Sequence, residues 1–340
     1  MNRPLPQWTE PGVYEVLPGI HRIPLPLPDD GLRAVNVYAV ADGDRVVPID
    51  SGWALAESQN RLARALDAIG YGLEHVSEFL VTHLHRDHYT QALAVRRTYG
   101  SPVSLGAGER PALEWLIREV PTRPVSQLDQ LARSGADDVL ARLATLPEDT
   151  TVDDKTWELP DRWFKGSVEI RLATRTLRAI PTPGHTQGHL VFLDAEAGAL
   201  FAGDHVLPHI TPSIGFETVP GRSPLGDYLA SLLLVRTMPD VRLLPAHGPV
   251  TDSVHRRVDE LLDHHAARLD ATLTAVADGA HTAREVAGRL GWTRRQRPFE
   301  GLDPFNQMLS VLETRAHLDV LAERGMLRAT DVDGVTRYQA

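Results

Sequence analysis

The chain has 340 residues, 42% of them apolar, no cysteine and a formal net charge of −10 at pH 7. That length suits one large domain or two ordinary ones, and the missing thiols exclude disulfides, thiolate nucleophiles and cysteine-bound zinc, so any metal must be held by histidine and carboxylate. The acidic balance weighs against a broad nucleic-acid footprint, which needs clustered Lys and Arg, and no stretch approaches the about 18 apolar residues of a membrane span.

Residues 1–6 carry no apolar signal region, so a cytoplasmic location is the expectation. The first fifty residues then read as β. Val13 to Val16, Ile20 to Ile23, Val35 to Val40 and Val46 to Ile49 are short β-branched or alternating runs, punctuated by turn residues such as Asp42-Gly43-Asp44. Leu55 to Ile69 has helical spacing, with Leu62, Leu66 and Ile69 on one face and Gly70 past its end. Phe79-Leu80-Val81 reads as a buried strand, Gln91 to Tyr99 as a helix stopped by Gly100, and Pro102 to Leu105 as the next strand.

From about 108 to 163 the sequence turns helical and polar with interspersed Pro, the pattern of an insertion that covers or borders a site. Strands resume at Val168 to Leu172, Leu177 to Ile180, Leu190 to Leu193, Ala199 to Phe201 and Val241 to Leu244. Beyond Thr251 the character changes. Val254, Val258, Leu261, Leu262 and Leu269 mark one face of a long helix. Thr282-Ala283-Arg284-Glu285 has capping-box form, with Ala283, Val286, Ala287 and Leu290 on one face. Asp303-Pro304 resembles an N-cap with Pro at the first helical position, followed by the stripe Phe305, Met308, Leu309 and Leu312. Asp333-Gly334 marks a hairpin turn. Helix, helix, hairpin is the outline of a winged helix.

The densest chemical signal is Thr82-His83-Leu84-His85-Arg86-Asp87-His88, placed where a buried strand should end. Polar groups crowded at the edge of a core are costly to desolvate unless something satisfies them. A cation does so, and His with Asp are suitable ligands. Further candidates follow later apolar runs, each near a Gly: His185 in Pro183-Gly184-His185, Asp204 in Gly203-Asp204-His205, and His247 in Ala246-His247-Gly248.

Taken in order, these motifs resemble those of the metallo-β-lactamase-fold hydrolase superfamily. Asp50-Ser51-Gly52 is similar to the Asp-x-Gly turn that precedes them there. The likeness runs from about residue 13 to 250; the remainder is similar, more loosely, to the winged-helix extension of lactamase-beta-2-like proteins. It implies an α/β fold, an αββα sandwich over 1–250 with the helical insertion at about 108–163, and a small C-terminal helical, winged-helix-like domain over 251–340.

The resemblance also implies two metal sites: His83, His85 and His185 at the first, Asp87, His88 and His247 at the second, and Asp204 bridging both. Two zinc ions are the expected cofactors, with iron or manganese as alternatives in an all-N/O cage. Ions about 3.5 Å apart would share a hydroxide, and Asp87 would orient it and shuttle its proton. The family motif often continues with Gly-Gly where Thr90-Gln91 stand here. That departure bears on backbone packing at the helix start and on substrate shape, not on ligation.

The leading function is therefore a dinuclear metal-dependent hydrolase of a small-molecule thioester or ester, similar to hydroxyacylglutathione hydrolases. A lactonase is close chemically, and a lactamase-beta-2-like ribonuclease is the alternative from another class, with net charge against it. True β-lactamase activity fits less well, because several such enzymes use a Cys ligand. His85 stands where flavodiiron proteins usually have a carboxylate, while a single-iron persulfide dioxygenase remains compatible. The C-terminal region reads as a lid or dimerisation element, which keeps a homo-oligomer among the expected assemblies.

Among the other histidines, His189 reads as support for the fold or the site, His205 and His209 as neighbours of substrate, and His264-His265 as packing on the long helix. Arg294, Arg295 and Arg297 form a small basic cluster that reads as a solvated loop.

Overall fold

The apolar runs of the first half assemble into one large sheet. The structure is a computed structural model that describes residues 7–28, 31–120, 125–147, 155–293 and 295–340. Residues 1–6, where a signal region was sought, and Arg294 of the basic cluster lie outside the described residues, as do parts of the insertion. β1 (Tyr14–Leu17), β2 (Ile20–Pro26), β3 (Ala34–Asp42) and β4 (Arg45–Ile49) pair antiparallel in sequence order. In β3, Val35, Val37 and Ala39 pack to one side and Tyr38 and Val40 to the other, all of them buried. A strand apolar on both faces belongs to a sheet covered on both sides.

Next come α1 (Ala56–Asp67), β5 (Phe79–Leu80), α2 (Arg86–Tyr99) and β6 (Val103–Gly106), with β5 parallel to both β4 and β6. Helix α2 begins at Arg86, ahead of the Gln91 expected from the sequence. Its first turn, Arg86-Asp87-His88, is polar because it faces the site, so apolar periodicity gave no sign of it. It ends as expected at Gly100, in the left-handed region at φ 76°. The insertion supplies α3 (Arg110–Glu119), α4 (Val125–Arg133) and α5 (Asp137–Leu143). Its end is not helical: β7 (Arg162–Phe164) pairs parallel to β6 and completes a seven-stranded sheet in the order β1 to β7. Three residues are too few to show alternation in sequence.

The second sheet has the order β12-β11-β10-β9-β8. Its strands are β8 (Val168–Arg171), β9 (Thr176–Pro181), β10 (Leu190–Asp194), β11 (Ala199–Gly203) and β12 (Arg242–Pro245), the last two parallel and joined through α6 (Pro224–Arg236). Helix α6 was not legible in the sequence. Its apolar residues run right round it, with Leu233 56% and Leu234 42% exposed, so no single face stood out.

Three apolar clusters define the layers. Ile49, Leu80, Phe192 and Phe201 belong to the one between the sheets. Leu62, Leu66 and Leu93 cover the outer face of the first sheet, and Leu225, Leu232 and Leu261 cover that of the second. The result is the αββα sandwich expected. The chain continues as α7 (Val254–Ala277), α8 (Ala283–Ala287), α9 (Pro304–Glu323), β13 (Arg328–Val332) and β14 (Val335–Gln339). These helices bury Val258, Met308 and Leu312 in the same cluster as α6 and Leu243 of β12. Among the described residues no helix is long and apolar enough to cross a membrane.

The caps read from sequence are present: Asp303 accepts from the Asn306 amide, and Thr282 and Glu285 form both halves of a capping box. Asp333 and Gly334 both have positive φ, 53° and 83°, as a two-residue hairpin turn requires. Thr282→Ala is expected to cost about 1 kcal/mol. In a denaturant titration this appears as a lower midpoint with an unchanged slope.

Candidate metal centre

The centre sits where strand ends of both sheets meet. The segment after β5 carries His83 and His85, with His85 as the extended N-cap residue of α2 and Asp87 and His88 in the first helical turn. β9 leads to His185, β11 to Asp204 and β12 to His247. Gly203 lets that crowding happen: a Cβ there would stand 2.7 Å from both His189 Nε2 and Thr82 Oγ1.

The seven residues named from the sequence converge in two groups. His83, His85, His185 and Asp204 form one, and Asp87, His88 and His247 the other, with potential ligand atoms within 4.8 Å of one another in each. His85 Nδ1 lies 3.0 Å from His83 Nε2 and 3.1 Å from His185 Nε2. Asp87 Oδ2 is 3.4 Å from both His88 Nε2 and His247 Nε2. Asp204 stands between the groups: Oδ2 is 3.5 Å from His185 Nε2, while Oδ1 is 3.3 Å from His247 Nε2 and 3.8 Å from His88 Nε2.

Surrounding residues fix which ring nitrogen faces inward. His185 Nδ1 donates to the Ser213 carbonyl at 2.8 Å, and His247 Nδ1 to the Ala34 carbonyl at 2.8 Å. A carbonyl only accepts, so Nδ1 carries the proton and Nε2 keeps its lone pair in the neutral ring. His88 Nδ1 lies 2.9 Å from Asp50 Oδ2, and Thr82 connects Asp50 to His83 Nδ1 through its hydroxyl. Asp50 is 2% exposed and also accepts from the Thr82 amide. Its role as a brace was not read from the Asp50-Ser51-Gly52 turn alone. His189, fully buried, accepts from the Asp204 amide at 3.2 Å, so it supports the site as expected.

The inward atoms are the test of whether a metal fits. Among the described residues, His88 Nε2, His247 Nε2 and Asp204 Oδ1 are buried without a hydrogen-bond partner. Three orphaned polar atoms facing one another are costly unless a cation takes their lone pairs, and the donor set of imidazoles and carboxylates suits a divalent ion. Charge state agrees. Burial, reinforced by His185, pulls His85 down to about 3, and burial pulls His185 down to about 4, so both rings are neutral near pH 7, the form a metal takes. In the second group burial also acts, but the carboxylates win: Asp87, Asp50 and Asp204 hold His88 well above the ordinary imidazole range, and Asp204 and Asp87 raise His247. Burial acts on Asp87 in the opposite sense to His88, whose charge prevails and keeps it ionised.

The centre opens into a cleft of about 1950 Å³. Trp115 and Trp157 of the insertion and Trp292, Phe305 and Leu309 of the C-terminal region line it, so both segments border the site. His209, His264, Arg295 and Arg297 also line the cleft. His205 does not: it is fully buried, edge-on to Tyr228 at 5.2 Å. His265 is packed at 3.1 Å from His317. At the helix start the Thr90 hydroxyl accepts from the Ala54 amide at 2.9 Å and donates to the Arg86 carbonyl, so that region packs closely despite the missing Gly-Gly. The Gln91 backbone amide donates to the Gly52 carbonyl at 3.1 Å, while its buried side-chain amide has no hydrogen-bond partner among the described residues.

Residues 30–247 match the family profile described as Metallo-beta-lactamase superfamily. Among curated proteins, Lactamase-like protein nscB of Aspergillus fumigatus is 28% identical over 260 residues, covering 76% of this chain and 62% of that protein. Lactamase-like protein aptB of Emericella nidulans is 28% identical over 262 residues, with 77% and 66% covered. The matches thus span a little under two thirds of these relatives. A metallo-beta-lactamase family protein from Thermus thermophilus superposes with a TM-score of 0.77 at 26% identity, covering 96% of this chain and 99% of that one. A Beta-lactamase domain protein from Burkholderia ambifaria gives 0.80 at 26% identity, covering 96% and 94%.

Two outcomes follow from the geometry. Asp50→Asn, which replaces the acceptor facing His88 Nδ1 and Thr82, is expected to weaken metal binding roughly 10- to 100-fold in a chelator competition. The raised His88 and His247 hold protons in the metal-free protein above the ordinary imidazole range, and a metal takes only the neutral ring. Metal uptake at that group therefore releases protons and weakens as pH falls. Calorimetry in buffers of differing ionisation enthalpy measures that release; no proton release at pH 7 would contradict it.

Proposed function

We propose, from the premise that this chain belongs to the metallo-beta-lactamase superfamily, that it is a hydrolase of a thioester or ester working with two divalent metal ions, most simply zinc. His83, His85 and His185 would hold one ion and Asp87, His88 and His247 the other, with one oxygen of Asp204 toward each. The observation that carries this reading is the Asp204 carboxylate, with Oδ2 toward the imidazoles of the first group and Oδ1 toward the unsatisfied Nε2 atoms of His88 and His247 in the second. When bound, such ions polarise a carbonyl and bring the pKa of water down toward about 7.

The protein's own residues supply the rest. Asp87 is the most open of the carboxylates around the centre, with its side chain 20% exposed against 9% for Asp204 and 3% for Asp50. It lines the cleft and stays ionised, so it can orient an attacking water and take its proton. Asp50, Thr82 and His189 hold the ligand side chains without touching substrate. Trp115, Trp157, Trp292 and Phe305 give the cleft apolar surface against which an acyl group can pack. A cleft of about 1950 Å³ exceeds the roughly 300–1,000 Å³ of usual small-ligand pockets, which supports a substrate with an extended arm. We take residues 251–340 as one wall of that cleft, not as a nucleic-acid module.

The ribonuclease alternative has one observation in its favour, the presence of Arg257, Arg268, Arg295 and Arg297 on the cleft wall. Glu260, Asp303 and Glu313 line the same wall, and the net charge is −10. The deciding experiment gives zinc-loaded protein a panel of acyl thioesters, esters, lactones and short single-stranded RNA. Thioester or ester turnover is expected, with RNA intact, and Asp87→Asn is expected to lower kcat by roughly 100- to 10,000-fold. RNA cleavage without ester turnover would reverse the assignment.

A further inference from the structure

Glu109 lies between β6 and α3 and is 1% exposed, although it takes no part in the metal groups. A carboxylate in so closed a place is costly unless donors surround it. They do. The Thr186 hydroxyl donates to Glu109 Oε1, and the backbone amides of Leu84 and Gly188 face the carboxylate and favour its charged form. Leu84 sits between His83 and His85, and Thr186 directly follows His185. One side chain therefore touches both segments that carry the first histidine group.

The backbone beneath it is pressed onto the same segment. A Cβ at Gly188 would stand 2.2 Å from the Glu109 amide nitrogen, and one at Gly108 2.4 Å from the Gln187 carbonyl oxygen. Only glycine allows that approach. On the far side Glu217, 4% exposed, accepts from the Gln187 amide, so a second buried carboxyl grips the His185 segment. Burial lifts both acids, Glu109 to about 7 and Glu217 to about 8, with repulsion from Glu109 adding to the rise of Glu217.

We infer that Glu109 is a positioning residue for the first metal group: its carboxylate ties the His83–His85 segment to the His185 segment and so sets the spacing of the three imidazoles. The inference rests on reading those three rings as ligands of one ion. Glu109 lines the cleft but lies outside both groups of potential ligands, so it acts through the rings. His85 Nδ1 and His185 Nε2 are 3.1 Å apart, a spacing that the tie across the two segments maintains.

The test compares the full-length wild type with Glu109→Gln, Glu109→Ala and Thr186→Val. Glu109→Gln keeps the shape but turns one acceptor into a donor facing donors, and Thr186→Val removes one bond while leaving the acid in place. Zinc affinity at each group is read by chelator competition. Hydrogen exchange of the Leu84 and Gly188 amides is read on the metal-free protein. Expected is a roughly 10- to 100-fold loss of affinity at the first group in Glu109→Gln, with the second group unchanged, a smaller loss in Thr186→Val, and about tenfold faster exchange at Leu84 and Gly188. Two wild-type-like zinc affinities in Glu109→Gln, or exchange accelerated equally throughout the chain, overturns the inference while leaving the hydrolase reading intact. If the wild type takes up no zinc at the first group yet the two amides still lose protection, the ligand assignment falls and the tie between segments stands. Should Glu109→Ala fail to fold, Glu109→Gln and Thr186→Val carry the test.

Discussion

Everything in this structure turns on the cost of holding unpaired lone pairs inside a protein. His88 Nε2, His247 Nε2 and Asp204 Oδ1 are buried, mutually close and without hydrogen-bond partners. Each such atom carries a penalty on the order of 1–3 kcal/mol. The fold relieves it only in part: Asp87 Oδ2 stands 3.4 Å from both His88 Nε2 and His247 Nε2. It aims the atoms at one another, and does the same with the rings of His83, His85 and His185. Without metal, protons on His88 and His247 opposite the carboxylates offset part of that cost, and a divalent cation would take their place. That constraint explains why the groups stand at strand ends, where the sandwich opens and side chains from both sheets can meet.

The second layer of residues makes the arrangement specific. Carbonyls of Ser213 and Ala34 hold the Nδ1 protons of His185 and His247, and Asp50 faces that of His88. These contacts turn flexible imidazoles into oriented lone-pair donors. Asp50 comes from the end of β4, Ser213 from the segment before α6 and Ala34 from β3, so widely separated parts of the chain serve one purpose. The C-terminal helices share a core with the second sheet and also wall the cleft. Part of the cleft wall is therefore built from a region that contributes none of the seven groups.

Much of this was legible in the sequence, and the exceptions have physical causes. Thr82 to His88 stood out because several metal-binding side chains fall within one short run after an apolar strand. His185, Asp204 and His247 are isolated in sequence and were identified through their motif resemblance and neighbouring glycines. The sandwich was implied by the motif resemblance, while the short apolar runs themselves marked only the strands. Helix α6 was missed because it is apolar all round, and the first turn of α2 because its polar face is its working face. Glu109 and Glu217 gave no signal, since a lone acid in a polar stretch looks solvated until packing buries it. Asp50 was noted as part of a turn, but its hydrogen bonds depend on a strand pairing that sequence alone does not specify.

Crystals grown with zinc and measured at the zinc absorption edge address the central claim most directly. The account requires two anomalous peaks: one bounded by His83 Nε2, His85 Nδ1 and His185 Nε2, the other by Asp87, His88 Nε2 and His247 Nε2, with Asp204 reaching both. A map without peaks at these positions, from protein whose fold is otherwise intact, would contradict it.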